Sequence, residues 1–172
     1  EPFKQQILYA KNNAGFSLLQ QAIISGNIEI LVAVKALYES ELETDPFKEQ
    51  ILYAKNKAGF SLLQSAIISG NVEILGVVNA LYEAGFGTDV FKEQILYAKN
   101  NAGFSLLQQA IISGNIEILD AVKRLYEDEI ESEPFKQQIL YAKNKAGFSL
   151  LQTAIISGNV EILDAVKRLY ED

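Results

Sequence analysis

The chain has 172 residues, 15 Lys and Arg against 22 Asp and Glu, a net charge of −7, and no Cys, Met, Trp or His. That composition excludes disulfides, Cys/His zinc sites, thiol nucleophiles and histidine-based triads, and its acidic balance argues against sequence-independent nucleic-acid binding, which runs on Lys and Arg. No apolar run reaches the ~18 residues of a membrane span, and neither end reads as a targeting segment.

Phe3, Phe47, Phe91 and Phe135 stand 44 residues apart, and the text around them repeats almost letter for letter. The chain reads as four copies of one unit, residues 1–44, 45–88, 89–132 and 133–172, forming a single domain. A fixed period of about 20–50 residues marks a solenoid, in which each unit buries its apolar face only against its neighbours. The expected fold class is all-α: an α-solenoid of right-handed type with three helices per repeat.

The first helix of each repeat is predicted to open at Thr44, Thr88 or Ser132, each followed by an acidic residue. A hydroxyl cap and a first-turn carboxylate suit the free amides and dipole of a helix N-terminus. Pro46 and Pro134 fall in that first turn, where a missing N–H costs nothing. Phe47, Ile51, Ala54 and Ala58 share a helical face, and Gly59 is expected to end the segment. The second helix opens at Ser17, Ser61, Ser105 and Ser149, each with Gln three residues on (Gln20, Gln64, Gln108, Gln152), the pattern of a reciprocal capping box. Its body is apolar nearly all round and is expected to be buried. Gly26 and its equivalents end it, and Asn27 caps a third helix whose core stripe is Ile30, Leu31, Val34, Leu37 and Tyr38.

The run Asn56-Lys57-Ala58-Gly59-Phe60-Ser61-Leu62-Leu63, continued by Ala66 and by Gly70-Asn71-Val72-Glu73-Ile74-Leu75, resembles the ankyrin repeat. The junction from Glu83-Ala84-Gly85 to Ala102-Gly103 is similar to that family's turn and finger. The resemblance implies an ankyrin-like array of four extended repeats, with protein binding as its activity and the finger tips, including Lys57 and Lys145, near partners. Four features depart from the family. The period is 44 rather than 33 residues, Ser-Leu-Leu-Gln replaces Thr-Pro-Leu-His, Phe16 and Ile24 occupy places usually left exposed, and Gln21 occupies one usually buried. The added first helix is expected to cover Phe16 and Ile24. An armadillo-like solenoid, also with three helices in about 40–47 residues, is the rival reading.

No catalytic residue, cofactor or metal site is expected. Ser17 and its copies lack a histidine partner and serve as caps, and Gly85 and Gly87 are not followed by the Gly-Lys-Ser/Thr of a phosphate loop. Glu29, Glu73, Glu117 and Glu161 complement helix N-termini. The acidic segment containing Asp120, Asp128, Glu129 and Glu131 lacks the glycine-bearing twelve-residue calcium loop.

Differences between the copies point to surfaces. On the outer face of the third helix, repeats three and four carry the charged ladders Asp120–Arg124–Asp128 and Asp164–Arg168–Asp172, typical of a solvated helix. Repeats one and two instead carry Val32–Ala36–Ser40 and Gly76–Ala80–Ala84, with Val77, Asn79 and Phe86 nearby. Small residues at this spacing let another helix approach, so this face is the candidate oligomer interface, for a two-fold dimer or another homo-oligomer. A second set alternates along the chain: Asn13 and Gln21, Lys57 and Ser65, Asn101 and Gln109, Lys145 and Thr153. It reads as a tolerant exposed stripe or as a surface tuned to a different protein. The favoured expectation is a self-associating, non-catalytic repeat scaffold, with a monomeric ankyrin-like binding module as the alternative. Neither involves nucleic acid or membrane. Near-identity between copies is the pattern of a consensus-type or engineered array.

Overall fold

A computed structural model describes residues 2–171, and every regular element among them is a helix. The chain forms two compact units, residues 1–88 and 89–172, each holding two repeats. Within each unit the second helices of successive repeats pack together: Leu18–Ile24 on Leu62–Ser69, and Leu106–Ser113 on Leu150–Ser157. Each second helix also packs on the third helix of its own repeat, namely Ile28–Leu37, Val72–Tyr82, Ile116–Leu125 and Val160–Leu169.

The caps of the second and third helices follow the sequence. Ser61 Oγ accepts from the Gln64 amide, Gly70 closes the second helix at φ +71°, and Asn71 Oδ1 accepts from the Glu73 and Ile74 amides. Thr44 and Ser132 cap the first helices of repeats two and four through the amides of Phe47 and Phe135, with proline in the opening turn.

The first helix is shorter than predicted. One α-turn, Asp45–Phe47, widens into a π-turn, Lys48–Leu52, closed by Tyr53 N–H donating to the Lys48 carbonyl at 2.9 Å. Ala54 and Ala58 therefore lie outside the helix. The cause is Asn56, whose side-chain oxygen accepts from the Ala58 and Phe60 amides, both at 3.0 Å, while Gly59 turns at φ +83°. An asparagine that satisfies these amides locally offers the backbone an alternative to helix, and the segment becomes a finger.

The predicted capping box forms at Ser149 and Gln152, where both halves are present. Gln20 and Gln108 do something else: each reaches into the following repeat. Gln20 Nε2 donates to the Phe60 carbonyl at 3.0 Å and to Ser65 Oγ at 2.9 Å, and Gln108 Nε2 donates to the Phe148 carbonyl and Thr153 Oγ1. A carbonyl and a hydroxyl presented by the packed neighbour outcompete the local amide.

The third helix ends on a tyrosine that locks the repeat. The hydroxyls of Tyr38, Tyr82, Tyr126 and Tyr170 donate to the carbonyls of Leu8, Leu52, Leu96 and Leu140 at 2.6 to 2.8 Å. Those carbonyls end the π-turns, so each bond satisfies a backbone acceptor that the helix leaves open. Tyr38 and Tyr126 also stand edge-on to Phe47 and Phe135 of the next repeat. In repeat two the core stripe of the third helix is buried at Ile74, Leu75, Val78 and Tyr82 and half-buried at Leu81, but Ile30 and Leu37 of repeat one are exposed. In repeat two the matching face is covered by repeat one; among the described residues 2–88 no other element covers that face of repeat one itself.

These buried phenols set an alkaline limit. Burial pushes Tyr38 up to about 12, burial together with the Glu129 carboxylate does the same for Tyr97, and burial raises Tyr82 and Tyr126 as well. A group whose folded pKa lies above its unfolded value near 10 stabilises the fold below pH 10 and loses that contribution as pH rises through the folded value. Helicity should hold to about pH 10 and fall between about 10 and 12, together with the rise of phenolate absorbance. Tyrosines that all titrate near 10 with helicity intact would contradict the packing described.

Candidate protein-binding groove

The fingers of one unit are joined edge to edge. In residues 89–172, Asn100 Oδ1 accepts from the Ala102 and Phe104 amides, Gly103 turns at φ +83°, and the Lys145 amide donates to the Ala102 carbonyl at 3.0 Å. The same bond runs from the Lys57 amide to the Ala14 carbonyl in residues 1–88. A Cβ at Gly103 would stand 2.9 Å from the Lys145 amide nitrogen, so the fingers meet at a distance that only glycine permits.

Between this finger pair and the second helices lies a groove of about 510 Å³. Phe104, Ile112, Phe148 and Ile156 give it apolar walls, Thr153 lies against it, and Lys145 stands at the finger tip. Ile112, Phe148 and Ile156 are exposed. The expectation that the first helix covers this set is therefore corrected: that helix ends at the π-turn, held by the third-helix tyrosine, and leaves Phe148, Ile112 and Ile156 open. An exposed apolar trough with a cation at its edge is suited to an apolar side chain or peptide segment flanked by an acidic group.

The alternating set divides. Asn13, Lys57, Asn101 and Lys145 are exposed on the fingers. Gln21 is exposed and Gln109 half-buried, each accepting from the finger asparagine of its own repeat, Asn12 or Asn100. Ser65 and Thr153 are buried and do not belong to an exposed stripe. Their hydroxyls accept from Gln20 and Gln108 and donate to the Ser61 and Ser149 carbonyls. The short side chain at this place therefore joins two repeats, whereas the long one serves its own finger. One consequence is visible at Asn56, whose Nδ2 is buried without a hydrogen-bond partner in the repeat where Ser65 replaces Gln.

On the outer face of the third helices, Val32, Ala36, Ser40, Gly76, Ala80, Ala84 and Phe86 are exposed, and a Cβ at Gly76 would meet open space. Val77 and Asn79 are half-buried, and the side-chain oxygen of Asn79 is buried without a partner, so these two are not part of the open face. A shallow depression of about 200 Å³ lies beside Val32 and Ala36. In repeats three and four, Asp120, Arg124, Asp128, Asp164 and Arg168 are exposed, while Asp172 lies outside the described residues.

Two carboxylates that the sequence reading passed over or assigned to a solvated segment have defined places. Glu41 accepts from the Tyr9 hydroxyl at 2.8 Å and pairs with Lys4 at 3.1 Å; Glu129 accepts from Tyr97 at 2.6 Å and pairs with Lys92 at 3.2 Å. The tyrosine hydrogen bond, then the lysine, holds Glu41 below the usual carboxylate range, and the Tyr97 hydrogen bond does so for Glu129. The signal was present: the equivalent place in repeat two is Gly85, with Tyr53 Oη 2.8 Å from where its Cβ would stand. No group of three or more potential metal ligands occurs among the described residues, and no helix there is long and apolar enough to cross a membrane. Compared with known proteins, the sequence matches no protein-family model and no curated protein.

Proposed function

We propose that the chain is a non-catalytic, ankyrin-like helical-repeat scaffold that binds protein, taking an apolar segment of a partner into the groove beside Phe104, Ile112, Phe148 and Ile156. The observation that carries this reading is the open apolar trough walled by paired fingers, with Lys145 at its edge. The repeat period, the finger and the resemblance of its residues to the ankyrin pattern support the stacked arrangement. Selection from a random-peptide display library should return segments rich in aromatic and aliphatic residues beside Asp or Glu. Ile112→Glu should weaken their binding at least about tenfold, or about 1.4 kcal/mol, with the circular-dichroism spectrum unchanged. Peptides that bind the variant equally well would place the site elsewhere.

A second reading is self-association through the outer face of repeats one and two. Exposed Val32 and Phe86 favour it, as does the loss of charge along that face. Val32→Asp combined with Ala80→Arg should then dissociate the oligomer, as read by light scattering; an unchanged mass would remove this face from consideration.

A further inference from the structure

Two open faces of the chain are the halves of a contact that it already makes internally. In residues 1–88, Phe47, Ile51, Leu62 and Ile74 of repeat two are buried, with Phe47 edge-on to Tyr38 of repeat one and the second and third helices of the two repeats packed together. The same letters in repeat one, Phe3, Ile7, Leu18 and Ile30, are exposed: Ile30 is 47% exposed and Ile74 0%. In residues 89–172 the opposite face behaves likewise. Ile111 of repeat three is 0% exposed, whereas its counterpart Ile155 in repeat four is 61% exposed, and Tyr141 and Val160 of the same repeat are exposed as well. Residues 3–31 of the repeat are almost invariant. The open face of repeat four is thus a copy of a face that already receives a repeat, and the open face of repeat one is a copy of a face that already docks on one.

We propose that a second copy of this chain fills these faces head to tail, repeat four of one copy receiving repeat one of the next. The internal contacts supply the polar pattern. Lys57 N–H donates to Ala14, Gln20 to Phe60 and Asn71 to Gly26, and the same three bonds recur between repeats three and four. At the joint between copies, Asn13 N–H would meet the Ala146 carbonyl, Gln152 would leave its own cap for the Phe16 carbonyl, and Asn27 would reach Gly158. Chain order agrees, because the Asn13/Gln21 kind of repeat would follow the Lys145/Thr153 kind, as Asn101/Gln109 follows Lys57/Ser65. A contact between unlike faces closes into a ring or stays open-ended, unlike the two-fold dimer of the outer-face reading. The proposal goes beyond the groove and does not depend on it.

The test uses the whole chain and two variants at exposed positions, Ile7→Glu on one face and Ile155→Glu on the other. The parent should show a mass by light scattering that rises with concentration. Each variant alone should be monomeric with an unchanged circular-dichroism spectrum. An equimolar mixture should restore association as a heterodimer with one copy of each, since each variant keeps the face the other lacks. A parent that stays monomeric at high micromolar concentration, a single variant that still self-associates, or a mixture that stays monomeric would each overturn the proposal. Groove peptides should bind Ile155→Glu as they bind the parent, so the two readings can fail separately.

Discussion

Tyr126→Ala is expected to cost about 3–5 kcal/mol in urea unfolding, the range for losing a large buried aromatic side chain. The ring is fully buried, stands edge-on to Tyr97 and Phe135, and its hydroxyl satisfies the Leu96 carbonyl at 2.7 Å. One side chain therefore ties the third helix to the first helix of its own repeat and to the next repeat. Tyr126→Phe separates the two contributions: it keeps the ring and leaves the buried carbonyl open, for a loss of about 1–3 kcal/mol. A Phe variant as stable as the parent would mean that the carbonyl finds another donor and that the hydrogen bond does not hold the π-turn.

The second large effect is expected at Gly103→Ala. Two penalties combine there. The backbone turns at φ +83°, where a side chain costs about 1–2 kcal/mol, and the new Cβ would meet the Lys145 amide nitrogen at 2.9 Å and Asn144 Cα at 3.2 Å. Backbone cannot swing aside as a flexible side chain can, so the fingers must part and the Lys145–Ala102 bond must lengthen or break. A total of about 3 kcal/mol follows when the lost hydrogen bond is added. Gly114→Ala is the control: it has φ +70° but open space around the Cβ, and should show the strain alone. Hydrogen exchange at the Lys145 amide reads the finger bond directly. If the two variants lose the same stability, the finger contact contributes nothing, and the wall of the groove is not held as described.

Much of the local structure was legible in the letters. The 44-residue period, the serine and asparagine caps, the glycine stops and the boundaries of the second and third helices follow from rules that act within one turn of chain. The length of the first helix was not legible, because Asn56 competes for amides that the periodicity of Phe47, Ile51, Ala54 and Ala58 had assigned to helix. The alternating residues at 21, 65, 109 and 153 were visible as a pattern but not as a division of labour. A serine looks tolerant until the glutamine that donates to it, 45 residues earlier, is known.

The sequence by itself determined that this is an all-helical repeat chain without cysteine or histidine chemistry, since periodicity and composition require no knowledge of what touches what. Only the tertiary structure decided where Gln20 and Gln108 donate, which carboxylates are clamped, and that Phe148, Ile112 and Ile156 stay open. Those outcomes are competitions between partners at similar energies, and proximity in space selects the winner: Gln152 folds back on its own cap, while Gln20 and Gln108 cross to the next repeat.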